Sequence, residues 1–476
     1  MALELILAYK REEVARRKAA TSLESLLARC VPGARRFGQA LRAGRPGFVL
    51  EIKSASPSAG VIRPGTDLEP VLASYGRHAD AVSVLTDERF FGGSLARLAE
   101  VRARLQQPLL CKDFVLEPFQ VAEARLHGAD AILLILAAVD DDAWRASAAL
   151  AERLGMDVLT EVHDETEAAR AVELGARIIG INHRDLRTLE MDGTTTARLA
   201  PRIPADRLVV AESGIASHDD VRRLRPHADA VLVGSALMGR ADIDAAVRGL
   251  VYGPTKVCGL TRAEDARAAW EAGATHGGVV FAAGSPRRVT PEQAAVVRGA
   301  ARLEWVGVFA DQGPAGIAAA AERLELGAVQ LHGHETTDAV AQVRAAVPRA
   351  AEVWKAVRVR GRPPLRAETG ADRVLLDGSP PDDLIESRRS LSAPAPLGGT
   401  GERFDWALLA DYPERAEVIL AGGLRPDNVA RASGLGTWGL DVSSGVEESP
   451  GLKSPARLRA FFAERRRLPG RGDDRR

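Results

Sequence analysis

Residues 130–162 read DAILLILAAVDDDAWRASAALAERLGMDVLTEV. A short apolar run is followed by a longer amphipathic segment rich in Ala, Arg and Glu, and then by a second apolar run that ends on a carboxylate. That is the strand–helix–strand alternation of parallel α/β structure. Moving outward, DAILLI (130 to 135) and DVLTEV (157 to 162) have six companions in the first half of the chain. They are FVLEIK (48 to 53), AVSVLT (81 to 86), PLLCKDF (108 to 114), RIIGIN (177 to 182), RLVVAES (207 to 213) and AVLVGS (230 to 235).

The pattern restarts after VYGPT (251 to 255), whose Gly-Pro pair reads as a linker. The second set is TKVCG (255 to 259), GGVVF (277 to 281), WVGVF (305 to 309), AVQLHG (328 to 333), EVWKAV (352 to 357), RVLLDG (373 to 378), EVILAGG (417 to 423) and WGLDVSSG (438 to 445). Eight strand–helix units close a barrel in roughly 250 residues. The fold class expected is therefore α/β, two tandem (β/α)8 TIM barrels, over 1–252 and 253–465. A helical extension precedes the first strand and is placed to cap a barrel. The basic tail 466–476, RRLPGRGDDRR, offers no apolar face and is expected to fray. The Pro/Ser-rich run GSPPDDLIESRRSLSAPAPL (378 to 397) is longer than an ordinary βα loop and reads as a lid or an insert.

Composition excludes several classes. In 476 residues, 64 Lys+Arg balance 64 Asp+Glu, and aromatics make up 4%, so neither a polyanion footprint nor a base-stacking platform exists. Nucleic acid and membrane are not expected partners. The longest apolar run, Ala131 to Val139, is too short to span a bilayer. The first residues mix charges into a helical pattern and read as no secretory signal. Cys30, Cys111 and Cys258 lie far apart without CxxC spacing, which points away from disulfides and structural zinc and toward the cytoplasm. His332 lacks HxH or HExxH company, so no metal is expected.

In a barrel the reacting groups stand at the C-terminal ends of the strands. Glu51 and Lys53, two apart, share a face; Lys112 and Cys111, adjacent, oppose one another. Glu161, Asn182, Glu212 and Ser213 end later strands. Two lysines and three glutamates at one mouth read either as core ion pairs or as a site for a charged ligand, and the cost of burying such charge favours the site. Gly214, Gly234 and Ser235 close the last two strands of the first half, and Gly422, Gly423, Ser443 and Ser444 those of the second. Gly214 to Ser235 and Gly423 to Ser444 span the same 21 positions. Isolated glycines would be turn makers, whereas a matched pair in each half suits backbone cradles for phosphate. In the second half Cys258 and Asp377 end strands and can act as base and acid. Arg287 is placed to meet a carboxylate or phosphate.

Longer strings carry a resemblance. EIKSASPSAGVIR, SVLTDERFFGGS, LCKDF, VLTEV, GINHRDL, AESGI and LVGSALM resemble indole-3-glycerol-phosphate synthase across residues 1 to 250. KVCGLTRAEDA, SPRRV, VGVFADQ, VQLHG, LLDG, GGTGERFDW, LAGGLRPDNV and GLDVSSGVEESPG resemble phosphoribosylanthranilate isomerase from about 253 to 465. Their order is that of the fused bifunctional family of tryptophan biosynthesis.

The resemblance implies two phosphorylated small-molecule substrates, no cofactor, and a carboxy-lyase joined to an aldose–ketose isomerase. In the first half Lys112 would be the general acid, an ammonium kept charged by neighbouring carboxylates yet able to donate, with its pKa tuned downward by nearby cations, and Glu161 would move protons during dehydration. Glu51 and Lys53 would flank it, with the division of labour among Lys53, Lys112 and Glu161 left open. Asn182 and Arg184 would hold the anthranilate end, Glu212 and Ser213 would orient substrate, Ser56 would bind it, and Phe91 and Phe114 would line the ring pocket. In the second half Asp377 would open the sugar ring, Cys258 as thiolate would take the C2 proton, and Arg287 would meet the anthranilate carboxylate, though its register against Arg288 is open. A monomer suffices for this arrangement. The alternative is a synthase whose second barrel is non-catalytic or of broader specificity.

Overall fold

Strands covered on both faces must be apolar throughout, and the runs above become such strands. The computed structural model describes residues 2–44, 46–56, 60–62, 67–186, 188–378 and 404–471. Its first barrel consists of β1 (Gly47–Ile52), β2 (Ala81–Leu85), β3 (Leu109–Lys112), β4 (Ala131–Ile135), β5 (Asp157–Val162), β6 (Ile178–Asn182), β7 (Leu208–Glu212) and β8 (Ala230–Val233). All pairs are parallel and β1 closes the ring on β8, with Gly47 opposite Ala230. The second barrel consists of β9 (Thr255–Cys258), β10 (His276–Val280), β11 (Glu304–Phe309), β12 (Ala328–Leu331), β13 (Glu352–Val359), β14 (Arg373–Gly378), β15 (Ile419–Leu420) and β16 (Gly439–Val442), closed by β9 on β16. β15 is far shorter than the run EVILAGG, because Gly422 and Gly423 leave extended backbone for φ of 80° and 62°. The insert beyond Gly378 lies outside the described residues, as does the side chain of Ser56.

The two barrels solve the problem of their open ends differently. In the first, α1 (Ala2–Ala20) brings Leu3 and Ile6 to the cavity at the C-terminal end, while α2 (Phe37–Gly44) plugs the other end. The backbone N–H of Gly38 donates to Asp157 Oδ2 at 3.0 Å, and Phe37 and Leu41 join the core formed by Val49, Leu133, Leu159 and Val210. Gly47 permits this close approach, since a Cβ there would lie 2.8 Å from the Leu41 backbone. The second barrel fills its lower end with Trp354, Trp438 and His276, whose rings meet at 5.7–6.0 Å, and Arg373 stacks 3.8 Å over Trp438.

α1 is pinned by one ammonium. Lys10 Nζ, fully buried, lies 2.8 Å from Asp87, 2.9 Å from Asp113 and 2.9 Å from Glu13. Asp87 and Asp113 follow β2 and β3, so the pin joins the extension to the strand ends beside Lys112. Lys10→Met leaves two buried carboxylates without a counter-ion and is expected to cost roughly 3–5 kcal/mol. The midpoint of the first urea transition should fall; an unmoved midpoint contradicts the pin.

The chain divides into two compact units, Met1–Val251 with Leu468–Arg476, and Tyr252–Arg467. The expected frayed tail is corrected here over its described part. Leu468 is buried and its carbonyl accepts from Arg225 Nε at 3.0 Å, while Arg471 Nη2 donates to the Ile203 carbonyl at 2.6 Å. Guanidinium–carbonyl bonds hold this segment to the first unit without an apolar face.

Candidate active sites

In the first barrel the strand ends surround a cavity of about 330 Å3. Its wall includes Glu51, Lys53, Phe91, Lys112, Phe114, Glu161, Asn182, Arg184, Ser213, Gly214, Gly234 and Ser235, so the sequence-derived residues with described side chains converge, with one exception. The exception is Glu212, which is fully buried and absent from the wall. It touches Lys112 instead, Nζ to Oε2 at 2.5 Å. Gly180 makes that depth available, because a Cβ there would sit 2.2 Å from Glu212 Oε1. Glu212 thus pairs with Lys112 and stands behind the cavity wall.

Lys112 stands in a cage of carboxylates, with Glu51 Oε2 at 3.8 Å and Glu161 Oε2 at 3.9 Å besides Glu212; Lys53 pairs with Glu51 Oε1 at 2.9 Å. Burial disfavours the ammonium, but Glu212, Glu51 and Glu161 outweigh it and raise the Lys112 pKa. The expected downward tuning is thus corrected, since the groups nearest Lys112 are anions. Burial likewise dominates at Glu212, pushing it up to about 7 against the pull of Lys112. At Glu51 burial is outweighed by Lys53 and Lys112, and its pKa is lowered. Cys111, facing away from Lys112, contacts Thr86 Oγ1 at 3.3 Å, and burial pushes its thiol up to about 12.

Sequence reasoning missed His163, which lies just past β5. Its Nε2 is 3.2 Å from Glu161 Oε1 and its Nδ1 3.0 Å from Glu167 Oε2. Burial would raise the Glu161 carboxyl, but His163, Lys112 and Asn182 hold it down at about 2, and the two glutamates lift His163 to about 10 against its own burial. Asn182 is oriented too: its Oδ1 accepts the Arg184 N–H at 3.0 Å, which turns its Nδ2 toward Glu161 Oε1 at 3.1 Å. His163→Gln removes the cation that opposes burial, so Glu161 titrates at higher pH. The acid limb of this site's pH–turnover profile should move up by about 1–2 units; an unmoved limb contradicts the pairing.

Phe91 and Phe114, with ring centroids 6.2 Å apart, form an apolar wall with Leu133 and Ile135. Opposite them, Ser213 and Gly214 both adopt left-handed backbone, with φ of 68° and 73°. For Ser213 this costs on the order of 1 kcal/mol. Its carbonyl is held by His183 Nδ1 at 3.0 Å. Gly422 and Gly423 repeat the same pair of conformations in the second barrel. Gly234 (φ −130°, ψ −71°) before Ser235 matches Ser443 (φ −128°, ψ −86°) before Ser444. The two halves present backbone cradles of one shape.

The second mouth encloses about 70 Å3 and is lined by Cys258, Arg287, His332, Asp377, Gly422, Gly423, Ser443 and Ser444, among others. Cys258 and Asp377 therefore open onto one cavity. His332 Nε2 lies 3.3 Å from Asp377 Oδ2. Burial raises the Cys258 thiol, which Lys256 opposes most strongly. Arg287 is the residue at the mouth and Arg288 is exposed. Its guanidinium grips Glu447 through Nε at 2.9 Å and Nη2 at 2.7 Å, and Glu447 also holds Lys453 Nζ at 2.7 Å. Two of its donors are thus spent inside the protein. Lys256, two residues before Cys258, was legible from strand alternation; Glu447 was not, being 160 positions from its partner.

Among the described residues no helix is long and apolar enough to cross a membrane. Residues 3–250 match the family model for indole-3-glycerol phosphate synthase, and 255–464 that for N-(5'-phosphoribosyl)anthranilate isomerase. A "Tryptophan biosynthesis protein TrpCF" of Vibrio cholerae is 44% identical over 457 residues, covering 96% of this chain and 94% of that one. Proteins of the same description from Salmonella typhi (43%, covering 97% and 98%) and Yersinia pestis (45%, covering 90% and 86%) are similar over comparable lengths. Among solved structures, a phosphoribosyl anthranilate isomerase from Thermus thermophilus is 36% identical over 44% of this chain and 97% of that one, with a TM-score of 0.38. The chain belongs to the bifunctional tryptophan-biosynthesis family, with its indole-3-glycerol phosphate synthase in residues 3–250 and its N-(5'-phosphoribosyl)anthranilate isomerase in residues 255–464.

Proposed function

We propose that the two mouths catalyse consecutive steps with the following division of labour. In the second barrel Asp377 protonates the furanose oxygen of N-(5-phosphoribosyl)anthranilate, opening the ring to a Schiff base. Cys258 releases its proton to solvent as substrate enters and then, as thiolate, takes the C2 proton, leaving an enolamine that tautomerises to 1-(2-carboxyphenylamino)-1-deoxyribulose 5-phosphate. Arg287, steadied by Glu447, meets the anthranilate carboxylate through its remaining donors. Gly422, Gly423, Ser443 and Ser444 seat the phosphate.

In the first barrel the ketone oxygen of that product takes a proton from Lys112 as the aromatic carbon bonds to the carbonyl carbon. Loss of CO2 restores the aromatic ring, and Glu161, kept ionised by His163, collects a proton as water departs. A caged ammonium suits the task because Glu212, titrating near neutrality at 2.5 Å, can return the proton to Lys112. Phe91 and Phe114 hold the ring, Asn182 and Arg184 its carboxylate, and Ser213, Gly214, Gly234 and Ser235 the phosphate. The reading rests chiefly on Lys112 facing three carboxylates in a cavity that also carries an apolar wall and a backbone cradle.

Each mouth is built from its own barrel's residues, which supports a monomer that needs no nucleic acid, and three free thiols support the cytoplasm. A second barrel reduced to ligand sensing is not favoured, since it retains a thiol and a carboxyl on one cavity. The test is a mass balance. Purified chain given N-(5-phosphoribosyl)anthranilate, without added metal or cofactor, should form indole-3-glycerol phosphate and CO2 in equal amounts. Turnover of the intermediate but not of the first substrate would restore the sensing alternative.

A further inference from the structure

Beneath the reacting groups of the second mouth lies a buried ammonium. Lys256 stands on β9 two positions before Cys258, so both side chains look into the barrel, and it is 2% exposed. Its Nζ lies 2.8 Å from Asp441 Oδ2 on β16 and donates to Gln330 Oε1 on β12 at 2.8 Å. An ammonium only donates, so the oxygen of the Gln330 amide must face Lys256 and its NH2 must face the other way. There, Gln330 Nε2 is 2.8 Å from His332 Nδ1, which must accept. In the neutral imidazole the proton then sits on Nε2, 3.3 Å from Asp377 Oδ2. A single cation thus fixes the direction of the two hydrogen bonds from Lys256 to His332, and with them the ring nitrogen that turns its proton toward the carboxyl.

Cys258 is the other neighbour. Gly278 on β10 leaves room for both side chains, since a Cβ there would lie 3.0 Å from the thiol Sγ and 3.1 Å from Lys256 Cε. The other charged or titratable groups facing the thiol are Asp441, Lys453 and Arg287, with His332 and Asp377 across the mouth. We infer that Lys256 is a positioning residue for the isomerase: it orients the Gln330–His332–Asp377 line and places beside Cys258 the positive charge that a thiolate there requires. This rests on the reading of Cys258 and Asp377 as base and acid.

Two variants separate the arms. Carbamidomethylation of Cys258 by iodoacetamide is followed against pH by peptide mass spectrometry, which distinguishes it from Cys30 and Cys111, alongside kcat and KM for the isomerase. Lys256→Met should raise the alkylation midpoint by about 1–3 pH units and lower kcat on the order of 10–100-fold with KM unchanged. Gln330→Leu should lower kcat by roughly tenfold with the midpoint unmoved. Because Lys256→Met strands Asp441, the double change Lys256→Met with Asp441→Asn is compared with Asp441→Asn alone; the double should show the higher midpoint and the lower kcat. An unchanged midpoint or unchanged kcat on losing Lys256 overturns the inference. Full isomerase turnover after Cys258 is alkylated in the parent overturns instead the reading beneath it, and the inference with that.

Discussion

Lys112→Met lowers synthase turnover by ~10²–10⁴-fold, the range a positioned general acid contributes, and leaves isomerase turnover of the same chain at the parent level. Methionine keeps most of the stem volume but cannot donate a proton. It also strands Glu212, whose Oε1 already lacks a hydrogen-bond partner and whose Oε2 loses the ammonium at 2.5 Å. Burial then drives Glu212 to stay protonated across a wider pH range, which removes the buried charge and spares the fold. The loss should therefore fall on kcat, with little change in KM, because the ring wall at Phe91 and Phe114 and the cradle at Gly214 and Ser235 are untouched. Steady-state assays of each activity decide the matter; parallel loss of both, in a chain that still unfolds cooperatively, contradicts it.

Asp377→Asn has the mirror effect. The carboxyl accepts the Gly378 N–H at 2.9 Å through Oδ1 and faces the His332 Nε2–H through Oδ2, so an amide fills the same space but can turn its oxygen to only one of the two donors. What it cannot do is release a proton to a ring oxygen. Isomerase turnover should drop by ~10²–10⁴-fold, with synthase turnover on supplied intermediate unchanged. Retained isomerase turnover would move the acid role elsewhere, His332 being the nearest donor.

How far the sequence carries can be judged residue by residue. Eight-and-eight strands were legible because barrel strands are apolar on both faces and their ends are where polarity returns; Lys112, Glu161 and Asp377 were found that way. Alternation says which face a residue takes, not how deep it lies, so the burial of Glu212 behind the wall, in the space that Gly180 leaves, could not be read from it. The carboxylates beside Lys112 were legible, but not that those of β1, β5 and β7 would outweigh any neighbouring cation, since no local spacing reveals which distant side chain comes nearest. Arg287 finds Glu447, and Arg225 finds Leu468, across long stretches of chain, through guanidinium bonds that leave no periodic trace. His163 did leave one, two positions after Glu161, but it lies beyond the end of the strand.

Mixing is the most direct trial of two self-sufficient chambers on one chain. Lys112→Met and Asp377→Asn proteins, each unable alone to convert N-(5-phosphoribosyl)anthranilate to indole-3-glycerol phosphate, are combined in equal amounts. Each retains the step the other lacks, so overall conversion should return as the intermediate passes through solution. If the mixture stays inactive while both proteins remain folded, or if either variant alone has lost both steps, the two mouths do not work as independent sites.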